Sequence, residues 1–255
     1  MAGWKQILVY FVLALLFNKV RCQGRVVGGL SMNIANTPYL VQLRTLRDGH
    51  LFCGGTLVTY SHVVSAAHCV REEILENTVA VAGATSIYGE GVQRLISSYL
   101  IHPSYRNVTG SEADIVIYKL VAPMLGRFIQ PIALCSRQLK PRDRVLISGW
   151  GKLNEQSEPS IVAHSVRVPV VNRNFCRRNY LALYGEDRIK DTMFCAAELG
   201  VGDACQGDSG GPAVFRNELC GIVSWGRGCA RPQFPGVYTS VWHFQDFIVK
   251  AVRNM

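Results

Sequence analysis

An all-β body closed by one C-terminal helix is the fold class that this 255-residue sequence predicts. Short apolar or alternating runs rich in Val and Ile recur after Val26, each bounded by Gly, Pro, Asn or Asp. The clearest cover residues 39–43, 55–58, 79–82, 115–120, 145–148, 166–171, 221–225 and 237–240, and runs of this length and type read as strands. Helical spacing is scarce until the end. There Phe244, Phe247, Ile248, Ala251 and Val252 recur on one face, with Lys250 and Arg253 in the last turn, where cations suit the helix dipole. The chain is 49% apolar, enough for a sizeable core, and its Gly, Val, Ser and Thr content argues against disorder and against a helical bundle. The size fits one large domain or two lobes. The polar stretch 136–144 is the best boundary between lobes.

The first residues read as an export signal. Lys5 precedes an apolar run over 7–17 that Asn18, Lys19 and Arg21 stop short of the roughly 20 residues a membrane span needs. Release outside the cell is expected, with no membrane anchor. The formal charge is +9, and loss of everything through Arg25 removes four basic residues and no acid, leaving +5. Arg142, Arg144, Arg167, Arg173, Arg177 and Arg178 fall in one half of the chain, either as a polyanion-binding face or as ordinary solvated arginines. Nine cysteines in an exported chain point to disulfides. No paired CxxC and His spacing suggests zinc.

Three segments carry the chemistry: Ser65-Ala66-Ala67-His68-Cys69, Asp114 ahead of the apolar run 115–120, and Gly202-Asp203-Ala204-Cys205-Gln206-Gly207-Asp208-Ser209-Gly210-Gly211-Pro212. A histidine beside a cysteine is commonly structural, and the other five histidines read that way. The third segment differs. Glycines on both sides of Asp208-Ser209 imply a tightly turned backbone that exposes a hydroxyl and aims amide hydrogens at one point.

From Val26 onward the chain resembles the chymotrypsin/trypsin serine peptidases, in the chain order His68, Asp114, Ser209. The resemblance implies the Ser-His-Asp mechanism, of which this family is itself the type example. It implies two six-stranded antiparallel β-barrels over about 26–135 and 136–241, with a helix over about 242–253. Segment 1–22 would be the signal and 23–25 a short activation peptide. A serine hydroxyl needs a base as it attacks, and an imidazole titrates in the right range to take and return a proton. His68 would be that base, Asp114 would orient it, and the N–H groups of Gly207 and Ser209 would receive the oxyanion. Asp203 would sit at the base of the specificity pocket, with Ala204 beside it and Gly226 and Gly236 as walls. Ser224-Trp225-Gly226 would pair with the substrate backbone. Ala204 offers no hydroxyl to solvate a compact ammonium, so Arg is expected over Lys. Cleavage after Arg25 would free the Val26 amine to pair with Asp208.

The family pairings carry over as Cys53–Cys69, Cys176–Cys195 and Cys205–Cys229. Cys22, Cys135 and Cys220 remain, as Cys22–Cys135 with a free Cys220 or, after signal loss, as Cys135–Cys220. Near 83–91 Ala84 stands where the trypsins' first calcium-binding glutamate belongs, which argues against a calcium site, and neither metal nor cofactor is expected. Pro235 argues against sodium control. Asn107-Val108-Thr109 is a glycosylation sequon. The expected partners are protein or peptide substrates, an activating protease and protein inhibitors, with a monomer and no nucleic acid. A catalytically dead binding module and an esterase are the competing functional classes. The filled catalytic positions count against the first, and Asp203 with the activation site counts against the second.

Overall fold

The computed structural model describes residues 27–70, 74–106, 108 and 112–255. The expectations for the signal, Cys22, the Arg25–Val26 cut and Asn107 fall outside the described residues. The chain enters through a two-residue strand, β1 (Leu30–Ser31). Six antiparallel strands then form a closed barrel: β2 (Leu40–Thr45), β3 (Leu51–Thr59), β4 (His62–Ser65), β5 (Thr78–Ala82), β6 (Val92–Ile101) and β7 (Val116–Leu120), ordered β2-β3-β4-β7-β6-β5. A short helix, α1 (Ile74–Asn77), precedes β5. Strand alternation explains why β2 is buried on both faces. Val41 and Leu43 enter the main core, while Leu40 packs on the other side with Ile34, Trp150 and Ala163.

The second half holds β8 (Ala133–Leu134), β9 (Arg144–Gly149), β10 (His164–Pro169), β11 (Met193–Ala196), β12 (Pro212–Phe215), β13 (Glu218–Trp225) and β14 (Gly236–Ser240). They form one eight-stranded sheet with path β1-β10-β9-β12-β13-β14-β11, and β8 lies parallel beside β13. The two expected six-stranded barrels therefore differ in kind. The first closes by full ladders. The second closes its six-strand ring through the single Val170–Ala196 bridge and the Val171 N–H to Cys195 carbonyl bond of 2.9 Å, with β1 and β8 added at its edges.

The predicted C-terminal helix is present, and it is preceded by a second sizeable helix that the sequence pattern does not print, α2 (Arg173–Tyr184). Asn172 caps it by accepting from the N–H groups of Asn174 and Phe175, and Gly185 ends it at φ 73°. Only Cys176 and Tyr180 are buried on it, too few to print a helical period on the sequence. The terminal helix α3 (Gln245–Asn254) buries Ile248 and Ala251 and packs on β7. Trp150 Nε1 donates to the Thr85 carbonyl at 2.8 Å, and Gln42 Nε2 donates to the Ala84 and Ser86 carbonyls, so the 83–91 loop is fastened by side chains from both halves.

Four disulfides staple the body: Cys53–Cys69, Cys135–Cys220, Cys176–Cys195 and Cys205–Cys229. The second spans 85 residues and ties the strand ahead of the inter-lobe linker to β13. In the chain-entropy account a loop of that size is worth about 4–5 kcal/mol. Replacing Cys135 and Cys220 together by Ser is expected to lower the thermal midpoint by about 10 °C at this chain length. A midpoint within about 2 °C of the parent in scanning calorimetry would show that the bridge constrains nothing.

Candidate active site

The site lies in the seam between the two halves. His68 occupies the middle of a one-turn 3-10 helix, Ala67–Cys69, anchored by the Cys53–Cys69 disulfide. Asp114 precedes β7 and is almost fully buried. Its two oxygens divide the work: Oδ2 lies 2.8 Å from His68 Nδ1, and Oδ1 accepts the His68 backbone N–H at 2.9 Å. The Ser224 hydroxyl donates to Oδ2 at 2.5 Å, and Thr239 Oγ1 donates to the Asp114 carbonyl at 3.0 Å, so strands of the second half hold an acid of the first. Burial opposes ionisation of Asp114. The hydrogen bonds and charge of His68, with the Ser224 hydroxyl, outweigh it and keep the carboxyl below its usual range.

Ser209 follows a turn that the sequence makes with glycine for a steric reason. Gly207 and Gly210 adopt φ 97° and 76°, a region closed to most side chains. A Cβ on Gly210 would collide with Ser65 Oγ and lie 2.6 Å from the Gly54 carbonyl. The segment is therefore pressed onto the strand end leading to His68, and the Gly54 N–H donates to the Ser209 carbonyl at 2.7 Å. Among the described residues the Ser209 hydroxyl makes no hydrogen bond to the His68 ring. Such contacts are commonly long in free enzymes and tighten around substrate. The N–H groups of Gly207 and Ser209 likewise bond no described residue, which leaves two donors at one turn.

A cleft of about 200 Å³ opens beside Ser209, lined by Ala204, Ser224, Trp225, Gly226, Gly236 and Tyr238, with the Cys205–Cys229 disulfide in its wall. Asp203 is buried directly beneath this lining. It accepts the Ala204 N–H at 2.8 Å, the Gly236 N–H at 3.0 Å and the Tyr238 hydroxyl at 3.3 Å. A Cβ on Gly236 would come within 2.5 Å of that carboxylate, so only glycine lets the two approach. Burial pushes the Asp203 carboxyl up to about 7 against the pull of its N–H donors. No cation among the described residues pairs with it.

A family model described as Trypsin matches residues 26–248, nearly the whole described chain. The chain belongs to the trypsin family of serine endopeptidases. It is 38% identical to a protein named seminase from Drosophila melanogaster, over 91% of this chain and 84% of that protein. It is 35% identical to a trypsin from Phaedon cochleariae, covering 88% and 86%, and 37% identical to hypodermin-A from Hypoderma lineatum, covering 91% and 89%. Like other members of the trypsin family it acts on protein substrates. No helix among the described residues is long and apolar enough to cross a membrane.

Asp208 lies behind the Ser209 turn of this trypsin-family chain. It is 1% exposed and accepts the Gly151 N–H at 2.8 Å and the Cys205 N–H at 3.0 Å. Burial raises it to about 6, and no described cation pairs with it. Sequence pattern alone misses two contributors. Tyr238 holds Asp203, and Tyr180 lies edge-on to Trp225 at 4.9 Å while its hydroxyl donates to the Pro235 carbonyl and accepts the Arg227 N–H. Tyr180 sits on α2, whose buried positions are too sparse to show a period. The one signal in the sequence is Asn172 and Gly185 at capping distance.

Because Gly210 has neither torsional nor spatial room for a side chain, Gly210→Ala is expected to cost more than about 3 kcal/mol and to abolish turnover. Gly49→Ala has the same sign of φ but open space around it, and should cost about 1 kcal/mol. Denaturant midpoints that rank the two equally would contradict the packing argument.

Proposed function

We propose that this chain is the secreted zymogen of an endopeptidase that cleaves after Arg in preference to Lys, through Ser209, His68 and Asp114. The observation that carries the reading is Asp203: a carboxylate buried under a cleft beside a serine, hydrogen-bonded but without a described cation. A substrate guanidinium supplies the missing charge, and the cleft's glycine walls admit a long side chain. Ala204 presents a methyl group where a hydroxyl would help solvate an ammonium, which favours the delocalised guanidinium.

In this reading Ser209 Oγ attacks the scissile carbonyl while His68 Nε2 takes its proton, with Asp114 holding Nδ1–H. The oxyanion meets the Gly207 and Ser209 N–H groups, and loss of one such donor typically lowers turnover ~10²–10³-fold. The imidazolium then protonates the leaving amine, and water repeats the sequence on the acyl-enzyme. Cleavage after Arg25 by an activating protease frees the Val26 amine. Paired with buried Asp208, that amine fixes the turn that carries both donors. The chain next to the cut already runs close by, since the Asp203 N–H donates to the Val27 carbonyl at 3.3 Å.

Activated protein given matched Arg and Lys peptides should show kcat/KM about tenfold higher for Arg, and Ala204→Ser should narrow the ratio. A serine-directed phosphonylating reagent should label Ser209. Equal cleavage after Lys would remove the specificity claim, and absence of labelling would remove the nucleophile. Arg25→Gln should stay uncut and inactive. The carboxylate form of Asp203 attracts the cation, and it is lost as pH falls through about 7. A small amidine competitive inhibitor should therefore weaken by up to ~10-fold per pH unit below about 7, while an uncharged analogue stays level. Amidine binding unchanged between about pH 8 and 5 would exclude Asp203 as its partner.

A further inference from the structure

The charge of this protein is distributed very unevenly. Residues 27–135 carry seven Lys and Arg against seven Asp and Glu, whereas residues 136–255 carry sixteen against eleven. Two of those eleven acids, Asp203 and Asp208, are buried at the candidate site and contribute little to the surface. We propose that one end of the second half is a docking surface for a sulfated glycan, centred on Arg137, Lys140, Arg142, Arg144, Arg167 and Arg216.

The fold brings these six together from three separate stretches of chain. The Arg142 N–H donates to the Val170 carbonyl at 2.8 Å, and Arg144 donates to the Arg167 carbonyl at 2.7 Å, which joins the linker to the end of β10. Arg137 and Arg216 lie over the Phe215 ring, 4.7 and 5.1 Å from its centroid. Asp143 takes Arg137 in a two-pronged pair at 2.9 and 3.0 Å and accepts the Lys140 N–H, and Glu198 pairs with Arg144. Glu218 is occupied by Ser136. Lys140, Arg142, Arg167 and Arg216 are exposed and outside every ion pair found among the described residues. Arg142 and Arg216 hold φ 75° and 49°, backbone that Gly or Asn adopts more cheaply, so cations stand here against the local preference. By contrast, Arg173 and Arg177 on α2 are paired with Asp191 and Asp187; Arg173 and Asp191 share a cleft with Lys140, and the pair adds no free cation to the cluster.

A cluster of exposed cations is a polyanion footprint. Two observations select a sulfated glycan over a nucleic acid. Four disulfides belong to an oxidising, extracellular setting, where sulfated glycans are the abundant polyanions. The aromatic ring of the cluster, Phe215, is buried beneath its arginines, so no ring is offered for base stacking. Strand direction separates this end from the chemistry. β13 starts at Glu218 beside the cluster and reaches Ser224 six residues later, about 20 Å away. A glycan bound here leaves the substrate cleft open, and the enzyme can work while retained on a matrix.

The test uses the activated full chain, with heparin as the probe and duplex DNA as the rival. At near-physiological salt the protein should bind heparin, and K140E/R142E/R216E should weaken binding at least ~10-fold. K250E/R253E, two charge reversals on α3, should change it less than ~2-fold. Both variants should keep the parent kcat/KM on an arginyl peptide, which separates this surface from the proposed cleavage chemistry. Absence of heparin binding, equal weakening by the α3 variant, or DNA binding as tight as heparin binding would each overturn the proposal.

Discussion

Burial of three carboxylates around one serine turn is the constraint on which the rest of this structure depends. A carboxylate taken out of water is costly unless hydrogen bonds or a cation offset the loss. Three acids share this problem within one site, and the chain treats them differently. Asp114 is answered from inside the fold by the His68 ring, the His68 N–H and Ser224, and it stays below its ordinary range. Asp203 and Asp208 receive N–H and hydroxyl donors but no described cation, and burial holds them near 7 and 6. Each is thus poised to bind a positive group supplied later: a substrate side chain for one and a newly cut terminus for the other, on the proposed reading.

The scaffold makes that arrangement rigid where it matters. The Cys53–Cys69 bridge fixes the turn under His68, and Cys205–Cys229 closes a wall of the cleft beside Ser209. Asp114 is gripped by the His68 turn of the first half and by β13 and β14 of the second, so a relative shift of the lobes would break its hydrogen bonds. Preorganised donors stabilise developing charge without reorganising during reaction. The glycines of the Ser209 turn serve the same end, since a side chain at Gly210 would push Ser209 away from the strand that precedes His68.

Much of this was legible in the sequence because the chemistry-bearing residues are contiguous. The Asp203–Gly211 segment prints its turn glycines, candidate nucleophile and candidate pocket acid in one stretch, and β2, β5, β7 and β14 print as short apolar runs. Features that depend on distant packing were not legible. β6 buries only Ile96 of its ten residues and leaves Leu95, Tyr99 and Leu100 exposed, so no burial period is printed on it. α2 buries two residues in its whole length. The hydroxyl of Tyr238 reaches Asp203 across 35 positions, and nothing local marks it. Parity of the cysteines left two arrangements open, and only the 4.7 Å Cα separation of Cys135 and Cys220 distinguishes them geometrically.

The most direct test of the buried-carboxylate constraint is carboxyl 13C NMR titration of Asp-labelled Ser209→Ala protein, before and after cutting at Arg25–Val26. Asp208 is expected to titrate near 6 in the uncut chain and to fall well below the usual carboxylate range once the new amine is free, while Asp203 stays near 7 until an amidine binds. An Asp208 titration unchanged by the cut would contradict this.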